Sequence, residues 1–246
     1  MNSTKISENI IDWLKKYIKN SNTKGFVIGI SGGIDSALTS TLCAKTGLPI
    51  LCLDMPIFQN TNEQIRATNH IKWLSSSFKN VSSKTIDLSN VFDSFRNSID
   101  GLNEKNHLLS LANSRSRLRM TTLYYFASVN NYLVAGTGNK VEDFGVGFYT
   151  KYGDGGVDIS PIADLYKTEV FKLAKYLNIN KEIIAAEPTD GLWDDERTDE
   201  SQLGLKYSEL EEAMNNPNSP NREKYEKIRK LNLHKMKPIP ICKIPN

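Results

Sequence analysis

The stretch Ser31-Gly32-Gly33-Ile34-Asp35-Ser36 constrains this chain more than any other. It follows Gly25-Phe-Val-Ile-Gly-Ile30, an apolar run without alternation that reads as a parallel strand buried on both faces. Residues 35–45 then read as a helix stopped by Gly47. Two adjacent glycines allow a tight turn and bring successive N–H groups close to an anion, which also meets the positive end of the helix dipole. Ser31 and Ser36 add hydroxyl donors. Asp35 places a carboxylate beside a phosphate site, where it repels the ligand unless Mg²⁺ bridges the two. A turn serving chain reversal alone would not need the serine pair and the acid together. Neither a Walker A loop nor a G-x-G-x-x-G fingerprint occurs.

The same strand-turn-helix logic continues along the chain. Ile6, Ile10, Leu14 and Tyr17 give a first amphipathic helix. Pro49-Ile-Leu-Cys-Leu53 is a second buried strand, and the helix from about Thr61 to Trp73 carries Ile65, Ala67, Ile71 and Leu74 as its apolar stripe. Lys84-Thr-Ile-Asp-Leu88 reads as a third strand, Tyr132-Leu-Val-Ala-Gly136 as a fourth and Val157-Asp-Ile-Ser-Pro-Ile162 as a fifth. Helices are expected from about Asn103 to Asn131, with a break near Ala112-Asn113, and from Tyr166 to Leu177. The pattern predicts an α/β fold, a parallel five-stranded Rossmann-like sheet between helices, binding ligand at the carboxyl ends of its strands.

Residues 187–200 are acidic and turn-rich and read as a long loop. Helices around Tyr207–Met214 and Arg222–Leu231 follow, then an extended proline-rich tail from Pro238 to Pro245. No domain boundary is evident, so a single domain over 1–246 is expected, with a mobile loop at about 187–204.

Composition excludes several functions. With 31 Lys+Arg against 28 Asp+Glu the net charge is +3, too small to make nucleic acid or a membrane surface the main partner. Cys43, Cys52 and Cys242 are scattered without a C-x-x-C pair, which fits a reducing compartment better than a zinc or disulfide framework. Charged residues interrupt the N-terminal apolar stretch, and no run reaches the roughly 20 apolar residues of a membrane span. The expectation is a cytoplasmic protein.

The loop resembles the S-G-G-x-D-S loop of the ATP pyrophosphatases, an adenine nucleotide alpha hydrolase-like fold. Further segments select within that superfamily: Asn113-Ser-Arg-Ser-Arg117-Leu-Arg119-Met120, Gly136-Thr137-Gly-Asn-Lys-Val-Glu142, Phe148-Tyr-Thr-Lys151-Tyr-Gly-Asp154-Gly-Gly-Val-Asp158, Pro161 with Lys167, Glu187-Pro-Thr189 and His234-Lys235. In this order they resemble the ammonia-dependent NAD synthetases, from about Ile10 to Lys237. The resemblance implies that Gly29, Ile30, Ser31, Gly32, Gly33, Ile34, Asp35 and Ser36 hold the ATP phosphates, with Thr137, Lys167 and Thr189 completing the ATP site. It further implies Mg²⁺ on Asp35 and Glu142, and deamido-NAD on Arg117, Lys151, Asp158, His234 and Lys235. Ammonia would be the nitrogen donor and the enzyme a homodimer, with the helix around Leu118–Phe126 as a candidate surface. Where many relatives carry an arginine before the proline closing the second strand, this chain has Asp54-Met55-Pro56, so adenosine contacts from residues 54–62 are not carried over.

Read without the family, some of these residues keep a plainer alternative. Glu142 is also a first-turn helix acid favoured by the dipole. Arg117 and Arg119 point in different directions on a helix, so one of them faces ligand. Asp154, between glycines, is the candidate base for ammonium and equally a turn-forming Asp-Gly. The competing functions are a tRNA-modifying ATP pyrophosphatase and an ATP-binding module without catalysis. The first needs a basic face and a catalytic cysteine pair; the second leaves Glu142, Lys151, Asp154 and Lys167 without a purpose.

Overall fold

The structure is a computed structural model that describes residues 1–99, 106–193 and 197–244. Asn2 opens the first helix, α1 (Ser3–Ser21), its side chain accepting from the Lys5 N–H. Helical spacing buries Ser7, Ile10, Leu14 and Ile18 on one face, and Asn22 ends the helix in the left-handed region at φ 54°.

Strand β1 (Phe26–Gly29) is central. It pairs in parallel with β2 (Ile50–Asp54), Phe26 opposite Ile50, and on its other side with the two-residue β4 (Leu133–Val134). β3 (Val81–Thr85) adds to the outer edge of β2, giving the order β3-β2-β1-β4. Alternation within β1 and β2 divides the core between the two faces. Phe26, Ile28, Ile50 and Cys52 pack under α1, α2 (Ile34–Lys45) and α6 (Lys167–Tyr176), together with Leu38 and Leu42. Val27, Leu51 and Leu53 pack under α4 (Ser89–Ser98) and α5 (His107–Asn130), around Phe92 and Val134. Helix α2 lies between sheet and outer helices and is buried almost throughout, so Leu38→Ala would cost about 2–5 kcal/mol. Helix α3 (Thr61–Ser77) and the short α7 (Lys181–Ala185) flank it. A third cluster joins a π-helical turn (Lys140–Val146) to α8 (Asp199–Leu203), α9 (Tyr207–Asn215) and α10 (Arg222–Met236).

Among the described residues the sheet has four strands, not the expected five. The fifth segment makes only the isolated bridge Ala135–Ile159. The reason lies in Asp158: its Oδ2 accepts the Val134 N–H at 2.8 Å, taking a donor that a fifth-strand carbonyl would use, and Pro161 has no N–H to give. Strand β3 sits three residues earlier than its apolar signal. As an edge strand it is mostly polar and exposed, while Ile86 and Leu88 beyond it turn into the second core cluster. Helix α5 runs unbroken past Ala112-Asn113; the residues 103–105 expected to start it lie outside the described residues. Helices α4 and α7 were not expected. Residues 199–203, read as loop, form α8, capped by the Thr198 hydroxyl and anchored by buried Asp199 and Leu203. Among the described residues no helix is long and apolar enough to cross a membrane.

Candidate active site

The carboxyl ends of β1 and β2 open into a cleft of about 250 Å³. Its floor is the glycine turn. Gly32 adopts φ 82°, and a Cβ there would lie 2.4 Å from the Glu63 carbonyl, so only glycine fits against α3. Ser31 and Ser36 brace the turn: the Ser31 N–H donates to Ser36 Oγ at 3.3 Å, the two hydroxyls lie 3.1 Å apart, and the Gly33 N–H donates to Ser31 Oγ at 3.2 Å. The turn delivers Asp35 into the first turn of α2, whose amides have no intrahelical acceptor.

Three distant segments converge there. Lys167, at the start of α6 and 2% exposed, donates from Nζ to Asp35 Oδ2 at 2.6 Å and to Glu142 Oε1 at 2.9 Å. Asn139 caps the π-helical turn with Oδ1, accepting the Val141 and Glu142 N–H groups at 3.0 and 3.1 Å, while its Nδ2 donates to Asp35 Oδ1 at 3.1 Å. The turn is thereby fixed with Glu142 facing the cleft. The Tyr207 hydroxyl contacts Glu142 Oε1 and, at 3.0 Å, Asp199 Oδ2.

The charges are interlocked. Burial pushes the Lys167 ammonium down, but Asp35 and Glu142 outweigh it and hold the group protonated. Burial raises the Asp35 carboxyl and Lys167 only partly offsets it. For Glu142 burial also raises, yet Lys167 and the hydrogen bonds from Tyr207 and Asn139 prevail and the net direction is down. Asp199 is pushed up to about 7 by burial and by the charge of Glu142.

Nearer the mouth, Ser116 Oγ donates to Asp154 Oδ1 at 2.6 Å and accepts the Asp154 N–H at 2.8 Å, and the Thr150 N–H donates to the same carboxylate at 3.0 Å. The contact needs Gly153, where a Cβ would lie 2.2 Å from Ser116 Oγ. Solvent reaches Asp154, but the cleft walls desolvate it and raise its carboxyl against these hydrogen bonds. Asp143 also faces the cleft, its carboxyl raised by burial and by Glu142.

Of the residues expected at the ATP site, all but Gly32 line the cleft, as do Glu142 and Asp154. Thr189 does so from the strap 187–193, which is tied down by the Thr189 hydroxyl on Glu63 Oε1 at 2.6 Å and by Arg115 on the Leu192 carbonyl at 2.6 Å. The expected deamido-NAD residues lie elsewhere. Arg117 reaches the Lys151 carbonyl at 3.4 Å, Lys151 reaches the His234 carbonyl at 3.3 Å and Lys235 reaches the Tyr149 carbonyl at 2.7 Å, so four of them gather around residues 149–152 and the end of α10. Asp158 stands apart with Tyr124 and Val134. Arg119, not Arg117, enters the cleft, donating to the Met55 carbonyl and to Gln59 Oε1.

Sequence reasoning missed Asn139, Tyr207, Asp199, Ser116 and Glu63. Only Asn139 had a local signal, an amide cap before an acidic first turn.

The sequence model of the NAD synthase family matches residues 6–244. The chain belongs to the NAD synthase family. Its curated relatives include the NH(3)-dependent NAD(+) synthetase of Finegoldia magna, 40% identical over 240 residues that cover 96% of this chain and 95% of that protein. Among solved structures, NMN synthetase from Francisella tularensis superposes with a TM-score of 0.89 at 33% identity, covering 100% of this chain and 99% of that one. The NH3-dependent NAD synthetase from Campylobacter jejuni gives 0.80 at 29% identity, covering 99% and 100%. The four-stranded parallel sheet between helices is the NAD synthetase architecture.

Proposed function

We propose that the cleft adenylates and then amidates deamido-NAD, with the residue roles that follow. The reaction is the ATP-dependent amidation of deamido-NAD to NAD with ammonia, a C–N ligase reaction that releases AMP and pyrophosphate. The observation that carries the reading is the convergence of Asp35, Glu142 and Lys167 above a glycine turn at the head of a buried helix.

Gly29 to Ser36 present amides and hydroxyls to the triphosphate, and Thr137, Lys167 and Thr189 complete the ATP site. Asp35 and Glu142 fit Mg²⁺. Their carboxylates converge on Lys167 Nζ at the edge of the cleft, and such a pair of hard oxygen donors would hold Mg²⁺ jointly with substrate phosphates. Bound there, the ion supplies positive charge to the phosphate oxygens. Lys167 keeps its proton and adds a fixed charge of the same sign, while the turn's amides stabilise charge on the departing pyrophosphate. The nicotinate carboxylate attacks the α-phosphorus, the α–β bridge breaks and pyrophosphate leaves. Ammonia attacks the acyl carbon of the adenylate, and AMP leaves with the electron pair of the C–O bond. No side-chain nucleophile is required, so positioning carries most of the rate. Asp154, raised by its surroundings, takes the proton that ammonium must lose.

Arg117, Lys151, His234 and Lys235, gathered next in sequence and space to the cleft-lining Gly153 and Asp154, and Asp158 on the far side of that loop, are assigned to deamido-NAD by the family likeness, outside the cleft itself. The chain acts as one synthetase domain and as a homodimer, for which Tyr125 and Val129, exposed on the outer face of α5, offer apolar surface. Free Cys43, Cys52 and Cys242 suit a cytoplasmic setting. Neither tRNA modification nor passive ATP binding accounts for the charged cluster. A second reading, the same amidation on the mononucleotide, is favoured by the likeness to NMN synthetase. Purified protein with ATP, Mg²⁺ and ammonium is assayed for AMP and pyrophosphate with each acceptor. A higher kcat/KM for deamido-NAD is expected; a higher value for nicotinate mononucleotide replaces the first reading with the second, and no AMP with either removes both.

A further inference from the structure

Asp199 has no role in the chemistry described so far, yet it is one of the most constrained carboxyls in the molecule. It is 5% exposed, lines the cleft, and its Oδ1 is buried with no hydrogen-bond partner among the described residues. A carboxylate left so is costly unless something requires it there. Two connections meet at this residue. Its backbone N–H donates to the Pro188 carbonyl at 3.0 Å, next to Thr189 in the strap. Its Oδ2 lies 3.0 Å from the Tyr207 hydroxyl, which also contacts Glu142.

A phenol has one proton and cannot donate to two carboxylates at once. For both contacts to be hydrogen bonds, one carboxyl must carry a proton and donate it to the Tyr207 oxygen. Glu142 Oε1 already accepts the Lys167 ammonium at 2.9 Å and is the charged partner, which leaves the proton to Asp199. The chain of donors then runs from Asp199 through Tyr207 to Glu142 and leaves Glu142 a single orientation. Tyr207 is further placed by Lys167 Nζ, 4.8 Å from the centre of its ring, and by its own N–H on Glu200 Oε1 at 2.9 Å.

We propose that Asp199 is a positioning residue that fixes Glu142 through Tyr207 while its backbone holds the strap bearing Thr189, so that the strap and the catalytic carboxylate are set by one anchor. The proposal rests on the role given above to Glu142. Partners that orient a ligating carboxylate typically contribute about 10–100-fold in metal affinity or activity.

Binding of ATP with Mg²⁺ is measured by calorimetry in the absence of the second substrate, alongside kcat and the Mg²⁺ concentration for half-maximal rate. Asp199→Ala is expected to weaken binding about tenfold, raise the Mg²⁺ requirement and lower kcat by at least the same factor. Asp199→Asn, whose amide can still donate to the Tyr207 oxygen, is expected to stay within about threefold on all three. A merely structural Asp199 would shift the melting temperature and leave Mg²⁺ requirement and affinity per folded molecule unchanged, which overturns the proposal. So does an Asn variant that falls as far as Ala. If Asp199→Ala does not fold, Tyr207→Phe breaks the same chain from α9 and is expected to show the same losses; unchanged values there also overturn it. Glu142→Gln separates the two layers of the argument. Normal behaviour of that variant removes the role of Glu142 and this proposal with it, whereas a defective Glu142→Gln beside a normal Asp199→Ala removes this proposal alone.

Discussion

Lys167 Nζ lies 2.6 Å from Asp35 Oδ2, although 132 residues separate the two in the chain. That contact joins the first helix-opening turn of the sheet to the start of α6, and Glu142 completes it from the π-helical turn. A buried cation shared by two carboxylates links the stability of the fold to the proposed ATP site.

Replacing Lys167 with methionine keeps the bulk and removes the charge. Asp35 and Glu142 are then buried facing each other uncompensated, so Lys167→Met is expected to lose about 3–5 kcal/mol in urea unfolding together with nearly all turnover. A loss below about 1 kcal/mol would show that the cluster is not a structural keystone.

Asp35→Asn and Glu142→Gln are expected to fold and to lose at least about 100-fold in kcat, of the order seen when one electrostatic partner of a transition state is removed. Raising Mg²⁺ should recover part of the loss. Near-normal turnover at sub-saturating Mg²⁺ in either variant would strike that residue from the metal site.

The cluster was half legible in the sequence. Asp35 announces itself because strand, glycines, serines and acid are contiguous, so local chemistry is enough. Glu142, Lys167 and the residues proposed for deamido-NAD were reached by resemblance alone. Tyr207 and Asp199 come to the site only because α8 and α9 fold back onto the π-helical turn through Leu203, Leu210 and Val141, contacts that no sequence period encodes. The fold was read well where burial dominates, as in β1, β2 and α2. It was misread where side-chain hydrogen bonds decide, as at Asp158, or where an edge strand is polar, as at Ser82-Ser83-Lys84.

The strap 187–193 is held by the Thr189 hydroxyl on Glu63. A hydrogen bond to a charged acceptor is worth about 1.5–3 kcal/mol, so Glu63→Ala should speed thermolysin cleavage within the strap by roughly tenfold or more. Bound ATP and deamido-NAD should slow cleavage of the unaltered protein, as expected of a segment covering a water-sensitive adenylate. Equal rates with and without ligands would deny the segment that role.

His70 sets an acid limit on the fold. It is fully buried, its Nε2 lies 2.9 Å from Ser40 Oγ, and burial lowers its pKa from 6.5 to about 4. Between these values the unfolded chain binds a proton and the folded one does not. Stability from this residue is complete above pH 6.5 and is lost as pH falls toward 4, by about 3 kcal/mol. Urea midpoints from pH 7 to 4.5 should fall less steeply in His70→Gln than in the unaltered protein. Parallel curves would place the acid sensitivity elsewhere.

In the proposed reaction this cleft joins ammonia itself to an activated nicotinate carboxyl. A glutamine-using enzyme needs a second site with a nucleophilic cysteine, but Cys43 and Cys52 are buried with their thiols pushed up by desolvation, and Cys242 lies exposed near the end of α10. Purified protein is given ATP, Mg²⁺ and deamido-NAD with either ¹⁵N-ammonium or ammonia-free glutamine labelled with ¹⁵N at the amide, and the NAD formed is analysed by mass spectrometry. Label from ammonium, one AMP and one pyrophosphate per NAD, and no label from glutamine are predicted; comparable label from both donors, or NAD formed without AMP, would contradict the account.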